Sequence, residues 1–500
     1  MAELKLDLVR KPPVSLLLTG VLPLVLGAIF PFAFSPFDYN WLAIVLLTSW
    51  LWVLSLGRPV ISGFAFGIGW FGIGAWWLVP MVELYGELGG FLSFSFVVLL
   101  GIFLAMFSLL WAWLIYVCGG RGPWLLLAFP SAAIITEWLR GHVLSGLPWT
   151  SLGNLLLDSP AVGWVTWFGV YGAAAGPALL AAALYLLCFS QYRKWGFVGL
   201  AITALCIWLS PQVHVASSQT YVASIIQANL PSNHNLRYNY QRWSINNHAM
   251  LSNTLNADAA LILWPESSIP GMLDKDTEWF KWIGNLVRQW PAPLLAGGFT
   301  LVNKDQPQNG AFGFAADTFP DYQFSGKQHL LPLAEYLPSW LEIVADPVRK
   351  LDYVSATDQG VITLKNISYG TLICYESLFP EQARSRVLNG AQVLVNLSND
   401  VWFGNSPALW QGLQSVRMRA VETGRYVLRA ANTGISAIIA PDGRVTHQTP
   451  WGQATVLSGE FRSLNTITRY TKWGDFPLLL TTLILVLCFF LQKRNLVVKR

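Results

Sequence analysis

Long apolar segments alternate with short polar loops over the first 210 residues, and one further apolar segment lies near the C-terminus. A transmembrane helix needs about 20 mostly apolar residues to cross the hydrocarbon core of a bilayer. By that measure the pattern predicts seven spans before residue 212 and an eighth after a long, more polar region. The predicted spans are 14–33, 41–56, 60–79, 90–117, 123–137, 162–189, 195–210 and 476–492. We therefore expect an integral membrane protein with eight transmembrane helices.

Lysine and arginine are concentrated in alternate loops of this pattern, at Lys5, Arg10, Lys11, Arg58, Arg121, Arg193, Lys194, Lys493, Arg494, Lys499 and Arg500. The other loops before residue 212 contain one such residue, Arg140. Because positive charge is retained on the cytoplasmic side of a membrane, both termini are expected inside and the region 212–470 outside. The first span follows basic residues, as a signal peptide does. It lacks a small-residue cleavage signature, so we expect a retained helix.

The region 212–470 alternates short β-rich runs with amphipathic stretches. Strands are predicted at 221–229, 260–266, 293–300, 369–376, 391–399, 426–434 and 436–443, and helices near 235–256, 276–289, 380–389 and 407–424. This alternation is typical of an α/β domain whose sheet faces are covered. The expected domains are a transmembrane domain with helices one to seven (1–211), the α/β domain (212–470), and the eighth helix with a cytoplasmic tail (471–500).

Composition agrees with a membrane protein that carries a polar insert. Hydrophobic residues make up 54% of the chain and charged residues only 12%, against about 25% charged in typical soluble domains. The 25 tryptophans also agree with a membrane protein, because indole rings favour bilayer interfaces. The net charge of +5 is small. No cluster of lysine and arginine lines a predicted soluble face, which argues against nucleic-acid binding.

Two features of the apolar region need comment. The glycines of GFAFGIGWFGIG, 63–74, indicate close packing of helices through small residues. In the loop EWLRGHVLSGLPW, 137–149, Glu137 and Arg140 would lie near the outer edge of the membrane, where unpaired charge is costly. A structural ion pair and a contact with a lipid headgroup both remain open for Arg140.

The sequence contains few motifs of common catalytic sites. There is no HExxH, no CxxC, no GxSxG and no glycine-rich phosphate loop, and the six histidines are scattered. No metal and no cofactor are therefore expected. Four of the five cysteines lie in apolar segments, whereas Cys374 lies in the polar region, within TLICYESLFP.

The unpaired cysteine at position 374 can be explained in two ways, as a buried apolar residue or as a reactive thiol. Most free cysteines are small buried hydrophobes. However, an extracytoplasmic thiol normally finds a disulfide partner, and the polar region offers none. A predicted strand ends near Cys374, and Pro380 and Glu381 suit the first turn of a following helix. A thiol near a helix N-terminus has a lowered pKa, and the thiolate is the nucleophile.

Two further polar patches follow β-rich runs. Glu266 follows ALILWP, and SGKQHLLPLAEYLP contains Lys327 and, eight residues later, Glu335. Each alone would be read as an exposed charge. Glu266, Lys327 and Cys374 together supply a base, a cation for an oxyanion and a nucleophile, which is the minimum for acyl transfer through a thioester.

The order WPES…K…HLLPLAEYLP…CYES…SNDVWFG…R.R…ANTG resembles the nitrilase (carbon–nitrogen hydrolase) superfamily. With seven spans before this region and one after it, the whole chain resembles the membrane-embedded branch of that superfamily, which acylates lipoproteins. The resemblance implies an αββα sandwich inserted between helices seven and eight. It also implies that Cys374 is the nucleophile, Glu266 the general base and Lys327 the stabiliser of the tetrahedral oxyanion.

The resemblance further implies supporting residues. Glu335 would orient the lysine or assist the base. Tyr375 and Glu376 follow the nucleophile, where a backbone N–H can help to form the oxyanion hole. The chain lacks a tryptophan usual in the family after the first strand, and Tyr238 and Tyr240 are candidate substitutes. The residues expected to bind substrate are Trp402, near the lipid entrance, Asn229, at the exit of the first strand, Tyr238 and Arg140.

The implied reaction moves an acyl chain from the sn-1 position of a phospholipid, usually phosphatidylethanolamine, to a thioester on Cys374. The acceptor would be the α-amino group of the N-terminal diacylglyceryl-cysteine of apolipoproteins. A monomer in the bacterial inner membrane, with a periplasmic catalytic domain, is expected.

Two other functions are compatible with parts of the sequence. A membrane-tethered nitrilase-type amidase would use the same three residues on an extracytoplasmic amide, but eight helices exceed what a tether needs. A non-catalytic lipid-binding or transport protein would not need Glu266, Lys327 and Cys374 intact.

Overall fold

The computed structural model describes residues 16–86, 89–118, 122–213, 219–231, 237–255, 258–275, 277–302, 306–337 and 353–487. The chain divides into two compact units. The first, called here the helical unit, comprises Met1–Ala161, Val170–Ser210 and Asp475–Arg500. The second, called the sandwich unit, comprises Val162–Gly169 and Pro211–Gly474.

Apolar helices form most of the helical unit. In chain order the first helices are α1 (Leu22–Ile29), α2 (Asn40–Ser55), α3 (Pro59–Gly74), α4 (Leu78–Tyr85), α5 (Gly90–Val117), α6 (Leu125–His142), α7 (Val165–Ala173, divided between the units), α8 (Ala175–Leu187) and α9 (Arg193–Trp208). Their apolar character agrees with the predicted membrane protein.

Two described helices are long and apolar enough to cross a membrane, Gly90–Val117 and Gly122–Ser145. Two bent pairs would each pass as one span: Pro59–Gly74 with Leu78–Leu84, bent by 55°, and Val162–Ala173 with Ala175–Leu187, bent by 76°. Shorter apolar helices are Leu17–Ala33, Asn40–Ser55 and Leu478–Leu487. Eight separate spans therefore stay a prediction.

The predicted sixth span, 162–189, is not one straight helix. Gly169 within it has a φ of 65°, a backbone conformation that glycine adopts without steric cost. A Cβ at Gly169 would also lie 2.4 Å from Cε2 of Tyr470. The apolar pattern continues through the glycine, so hydropathy alone could not reveal this break.

Glycines of the motif at 63–74 let helices approach closely, as predicted. A Cβ at Gly67 in α3 would lie 2.6 Å from Cα of Ala105 in α5. A Cβ at Gly69 would lie 2.1 Å from the carbonyl oxygen of Leu24 in α1. Only a residue without a side chain fits at such contacts, which explains the glycine repeat by helix packing.

In its described residues the sandwich unit contains two six-stranded sheets. The first has the order β12-β1-β2-β3-β4-β5, built from β1 (Thr220–Gln227), β2 (Ala259–Met272), β3 (Leu294–Leu301), β4 (Pro307–Phe314), β5 (Gln323–Gly326) and β12 (Thr455–Arg462). The second has the order β11-β10-β9-β8-β7-β6, built from β6 (Val361–Leu364), β7 (Ile367–Ile373), β8 (Val393–Ser398), β9 (Val427–Ala431), β10 (Ala437–Ile439) and β11 (Val445–Gln448). Strands β1 to β3 are parallel, and so are β7 to β9.

Helices cover the outer face of each sheet. Helices α10 (Arg237–Ser252) and α11 (Glu278–Gln289) share a buried apolar cluster with the first sheet. Helices α12 (Pro380–Leu388) and α13 (Ala408–Thr423) share another with the second, and the short α14 (Arg469–Trp473) follows β12.

The sequence of β8 shows how the layers arise. Its alternate residues Val393, Val395 and Leu397 are buried in the cluster between the sheets, whereas Leu394 joins the cluster under α12 and α13. Successive side chains of a strand point to opposite faces, so an almost wholly apolar strand fits a sheet that is covered on both sides. The resulting αββα layers agree with the predicted sandwich.

Candidate active site

Polar side chains follow several strands of the sandwich unit where those strands end. Cys374 follows β7, and Asn399 and Asp400 follow β8, its parallel neighbour. Glu266 lies within β2, and Lys327 follows β5 directly. The carboxyl ends of parallel strands meet at one edge of a sheet, where α/β proteins commonly bind ligands.

Glu266 lies at an interruption of the β2–β3 ladder. The parallel pairing of β2 with β3 shifts register between Trp264 and Ile269. Pro265 has no N–H to give to a ladder, which favours such a break. A Cβ at Gly297 of β3 would lie 2.5 Å from Cα of Glu266, so the glycine gives the strand room for this bulge.

The Glu266 carboxylate is buried and held by two donors. Asn309 donates its side-chain Nδ2 to Oε1 at 2.8 Å, and the backbone N–H of Asn399 donates to Oε2 at 3.1 Å. Burial raises the pKa of Glu266, the charge of Lys327 opposes this, and the net direction is upward. A carboxyl whose pKa moves toward neutrality is well matched to general acid–base work.

Lys327 is only 2% exposed and forms a buried ion pair. Its Nζ donates to Oε1 of Glu335 at 2.7 Å, and the backbone N–H of Leu331 donates to Oε2 at 2.7 Å. Burial would lower the pKa of Lys327, but the negative charges of Glu335 and Glu266 raise it above its usual value. Lys327 therefore provides a positive charge that is held by its ion pair with Glu335.

Cys374 begins a short 3-10 helix, Cys374–Leu378, directly after β7. Its φ of 50° is uncommon for a residue with a side chain, and such strain is concentrated at functional sites. Burial raises the pKa of the Cys374 thiol, Glu266 raises it further, and Lys327 only partly opposes them. The predicted lowering by a helix N-terminus was wrong in direction, because α12 begins only at Pro380 while burial dominates at the thiol. Cys374 is thus a neutral thiol that needs a base.

Glu376 is fully buried and ties two segments of the site together. Its Oε1 accepts the backbone N–H groups of Gln328, at 2.8 Å, and His329, at 3.1 Å. Its Oε2 accepts the backbone N–H of Ile373 at 2.7 Å. Arg386 balances the charge, with Nη2 at 3.2 Å from Oε1. Glu376 therefore fixes the loop after Lys327 against the strand end that carries the thiol.

The other residues predicted at the site have different surroundings. Asn229 donates its Nδ2 to the carbonyl oxygen of Gly452 at 2.8 Å, which anchors the exit of β1. Trp402 is half-buried in the 3-10 helix Asp400–Phe403 after β8. Tyr375 is buried, with its ring centroid 4.9 Å from that of Phe379. The side chain of Tyr238 lies outside the described residues.

Arg140 lies in the helical unit, on α6, and is 2% exposed. Its Nη2 donates to both carboxylate oxygens of Glu137 at 2.9 Å. Its Nη1 donates to the carbonyl oxygens of Leu147, at 2.8 Å, and Trp149, at 2.7 Å. These contacts favour the structural ion pair over a headgroup contact for this residue.

A second buried network reaches the thiol and was not predicted from the sequence. Ser398 Oγ lies 3.7 Å from Sγ of Cys374 and donates to Asp400. Asp400 in turn pairs with Arg429, with Nη2 2.6 Å from Oδ2. The position of SNDVWFG after a strand signals the serine and the aspartate, but only the strand register brings Arg429 to them. Asn309 had no comparable signal, because it lies in the middle of β4.

His248 lies with Glu266 on a cavity of about 10 Å³, which is about the space of one water molecule. Its Nδ1 is 2.8 Å from the carbonyl oxygen of Ser244, so Nδ1 carries the proton. Burial lowers the pKa of His248 to about 4. The imidazole is therefore neutral in the folded protein at ordinary pH.

We expect His248 to make stability fall as pH drops from 6.5 to about 4. In this range the unfolded chain binds a proton that the folded chain excludes, at 1.36 kcal/mol per pH unit, so about 3 kcal/mol is lost in total. Thermal unfolding of the detergent-solubilised protein from pH 7.5 to 4 measures the loss. The His248→Gln variant should show a shallower decline, and parallel curves for the two proteins would contradict the assignment.

Two layered sheets, with a buried glutamate at a bulge inside one strand and a lysine and a cysteine directly after two others, are typical of a carbon–nitrogen hydrolase type of domain. The model of the Carbon-nitrogen hydrolase family matches residues 222–470. The model described as Apolipoprotein N-acyltransferase N-terminal domain matches residues 26–183. A nitrilase-superfamily structure from Saccharomyces cerevisiae, Nit3, also matches, at 20% identity over 50% of this chain and 93% of its own, with a TM-score of 0.37.

Curated relatives match both units at once. The apolipoprotein N-acyltransferase of Methylococcus capsulatus is 32% identical over 95% of this chain and 96% of its own length. That of Coxiella burnetii is 28% identical over 95% of this chain and all of its own, and that of Haemophilus ducreyi is 30% identical over 92% and 94%. The chain belongs to the apolipoprotein N-acyltransferase family.

Proposed function

We propose that this chain transfers an acyl chain from a phospholipid to the N-terminal diacylglyceryl-cysteine of apolipoproteins, with Glu266, Lys327 and Cys374 as its catalytic residues. The observation that carries the proposal is the site itself: a neutral thiol beside a carboxyl of raised pKa and a buried lysine. Its setting in an acyltransferase family supplies the substrates.

The first half-reaction loads the enzyme. The Glu266 carboxylate takes the proton of the Cys374 thiol, and Sγ attacks the sn-1 carbonyl carbon of the phospholipid, phosphatidylethanolamine being the expected donor. The ester C–O bond then breaks, Glu266 returns the proton to the departing glyceryl oxygen, and a lysophospholipid leaves. The acyl chain stays on Sγ as a thioester.

Lys327 stabilises the negative oxygen that forms during this attack. Its charge is fixed by the ion pair with Glu335 at 2.7 Å, so little rearrangement is needed when the oxyanion appears. The backbone N–H groups that follow Cys374, at Tyr375 and Glu376, are the further donors proposed. Such interactions accelerate the reaction because they are stronger in the transition state than in the ground state.

The second half-reaction transfers the acyl chain. The neutral α-amino group of the acceptor cysteine attacks the thioester carbonyl, and Glu266 takes the proton that the new amide nitrogen loses. The C–S bond breaks, and the Cys374 sulfur recovers its proton from Glu266. Since both substrates carry acyl chains, a site that excludes water would also limit hydrolysis of the thioester.

We extend the proposal to the domains and the membrane. Residues 1–211 would form the transmembrane domain, 212–470 the periplasmic catalytic domain, and 471–500 the eighth helix, in an inner-membrane monomer with both termini in the cytoplasm. The distribution of lysine and arginine supports this orientation.

Cysteine labelling tests the orientation. In a chain freed of its own cysteines, the exposed Gln448→Cys should react with a membrane-impermeant maleimide in intact spheroplasts. The exposed Lys194→Cys, in a loop assigned to the cytoplasm, should react only after the membrane is permeabilised. The reverse result would overturn the topology.

A single-turnover experiment tests the reaction. Detergent-solubilised protein is mixed with a phospholipid labelled in its sn-1 acyl chain, without acceptor. Label should appear on the protein and be released by hydroxylamine, as a thioester requires. Addition of a diacylglyceryl-cysteinyl peptide should move the label to that peptide. Release of labelled free fatty acid alone would instead indicate a hydrolase, and an absence of protein label would contradict the proposal.

A further inference from the structure

Ser398 and Cys374 emerge side by side from neighbouring strands. Strands β7 and β8 are parallel, with Ile373 opposite Leu397. The next residues are Cys374, directly after β7, and Ser398, the last residue of β8. They therefore lie side by side at the same edge of the sheet, with Ser398 Oγ 3.7 Å from Sγ. The proposed mechanism gives this hydroxyl no role, although it touches the reacting atom.

The Ser398 hydroxyl has one proton and two neighbours that can accept it. Ser398 Oγ is within donor distance of both Oδ1 of Asp400 and Sγ of Cys374. While the thiol is neutral the proton goes to the carboxylate, because a charged acceptor forms the stronger hydrogen bond. A neutral thiol makes little demand on the hydroxyl, because sulfur is a weak acceptor. A thiolate is different, since an ionised acceptor forms a much stronger hydrogen bond. Rotation about the Cβ–Oγ bond of Ser398 turns the proton to Sγ without moving a heavy atom.

Asp400 keeps its other partner when Ser398 turns away. Its Oδ2 accepts Nη2 of Arg429 at 2.6 Å, in a pair that is almost fully buried. Nε of Arg429 donates to the carbonyl oxygen of Ile435 at 3.1 Å. A Cβ at Gly434 would lie 2.0 Å from Oδ2 of Asp400, so the glycine leaves the space that this carboxylate occupies. These contacts hold the Asp400 carboxylate and the Arg429 guanidinium in place beneath the Ser398 hydroxyl.

We propose that Ser398 is a positioning residue whose hydroxyl donates a hydrogen bond to the Cys374 thiolate in each half-reaction. The Asp400–Arg429 pair holds the serine side chain in place, and Asp400 accepts the hydrogen bond again once the thioester forms. No bond to hydrogen is broken in this exchange. The proposal rests on the proposed function for its place in the reaction, but the arrangement itself is testable without any lipid.

The charged groups that act on Sγ are Glu266, Lys327, Asp400 and Glu335, with Arg429 behind Asp400. Removal of the Ser398 hydroxyl takes a hydrogen-bond donor from the Cys374 thiolate and should raise the pKa of the thiol. Removal of the Asp400 charge takes away its repulsion of the thiolate and should lower that pKa. The two changes should therefore shift the titration of Cys374 in opposite directions. A merely structural role of the network would not give opposite signs.

The test is the pH dependence of Cys374 alkylation by iodoacetamide, followed by mass spectrometry of its peptide in the full detergent-solubilised chain. We expect Ser398→Ala to raise the midpoint by about one pH unit, the equivalent of one lost hydrogen bond to a charged group. Asp400→Asn should lower the midpoint, because it keeps an acceptor for Ser398 but leaves the positive charge of Arg429 uncompensated. Ser398→Thr keeps the hydroxyl and should titrate as the unmodified protein does.

A second measurement links the hydroxyl to the chemistry. In single turnover, Ser398→Ala should form the acyl-enzyme about tenfold more slowly at saturating phospholipid, with the half-saturating concentration unchanged, and Ser398→Thr should restore most of the rate. An unchanged alkylation midpoint in Ser398→Ala overturns the proposal, as does a shift of the same sign in Asp400→Asn. If Asp400→Asn fails to fold, Ser398→Ala decides alone, since it removes only one hydroxyl. Should no variant form an acyl-enzyme, the proposed function fails while the alkylation result still stands.

Discussion

Replacement of Cys374 by alanine is expected to abolish acyl transfer, with a loss of roughly 10⁴-fold or more, because no other group in the proposed mechanism can carry the acyl chain. The measurement is the transfer of a labelled sn-1 acyl chain to a diacylglyceryl-cysteinyl peptide in mixed micelles. The variant should also take up no hydroxylamine-sensitive label. Its thermal unfolding should change little, since the substitution removes one partly buried sulfur atom.

The matched control is Cys206→Ala, which removes another partly buried thiol, one that lies in the helical unit. This variant should keep full activity. Glu266→Gln separates base from nucleophile: it keeps the thiol but cannot take its proton, and should slow acyl-enzyme formation by about 10²- to 10⁴-fold. Full labelling of Cys374→Ala would show that another residue is the nucleophile, and full labelling of Glu266→Gln would remove the base assignment.

The central parallel strands were the part of the fold most open to prediction. Apolar runs before Glu266 and Cys374 marked β2 and β7, although β2 continues past Glu266 to Met272 and the two strands belong to different sheets. Of the strands that pair only antiparallel, β10 was predicted, at 436–443, whereas β4, β5, β6, β11 and β12 were not. β4 (PQNGAFGF) is rich in small and polar residues, and β11 (VTHQ) is short and exposed. Neither presents the apolar pattern that identifies a strand buried on both faces.

The features that escaped prediction depend on distance across the fold. The predicted strand 369–376 ends at Ile373, because Cys374 takes a positive φ. The direction of the Cys374 pKa follows from burial and from Glu266, which lies more than a hundred positions earlier in the chain. The Asp400–Arg429 pair likewise needs the register of β8 and β9. Local sequence indicates which groups can react, whereas the packing determines their protonation.

Replacement of Glu376 by glutamine is expected to destabilise the protein by about 3–5 kcal/mol, because it leaves the buried charge of Arg386 without its opposite charge. Both side chains of this pair are fully buried, and Arg386 also donates to the carbonyl oxygen of Thr371 at 3.0 Å. The measurement is denaturant unfolding of the detergent-solubilised chain, followed by tryptophan fluorescence.

Two comparisons show whether the buried charge is the cause. Asp321→Asn breaks the exposed pair with Lys275, and such surface pairs contribute less than about 1 kcal/mol. Glu376→Gln combined with Arg386→Met should recover part of the loss, because the double variant buries no unpaired charge. A double variant less stable than Glu376→Gln would mean that the hydrogen bonds of Arg386 outweigh its charge.

Glu376→Gln should also lower acyl-enzyme formation at temperatures where it stays folded, since Glu376 fixes the loop of Lys327 against the strand that carries the nucleophile.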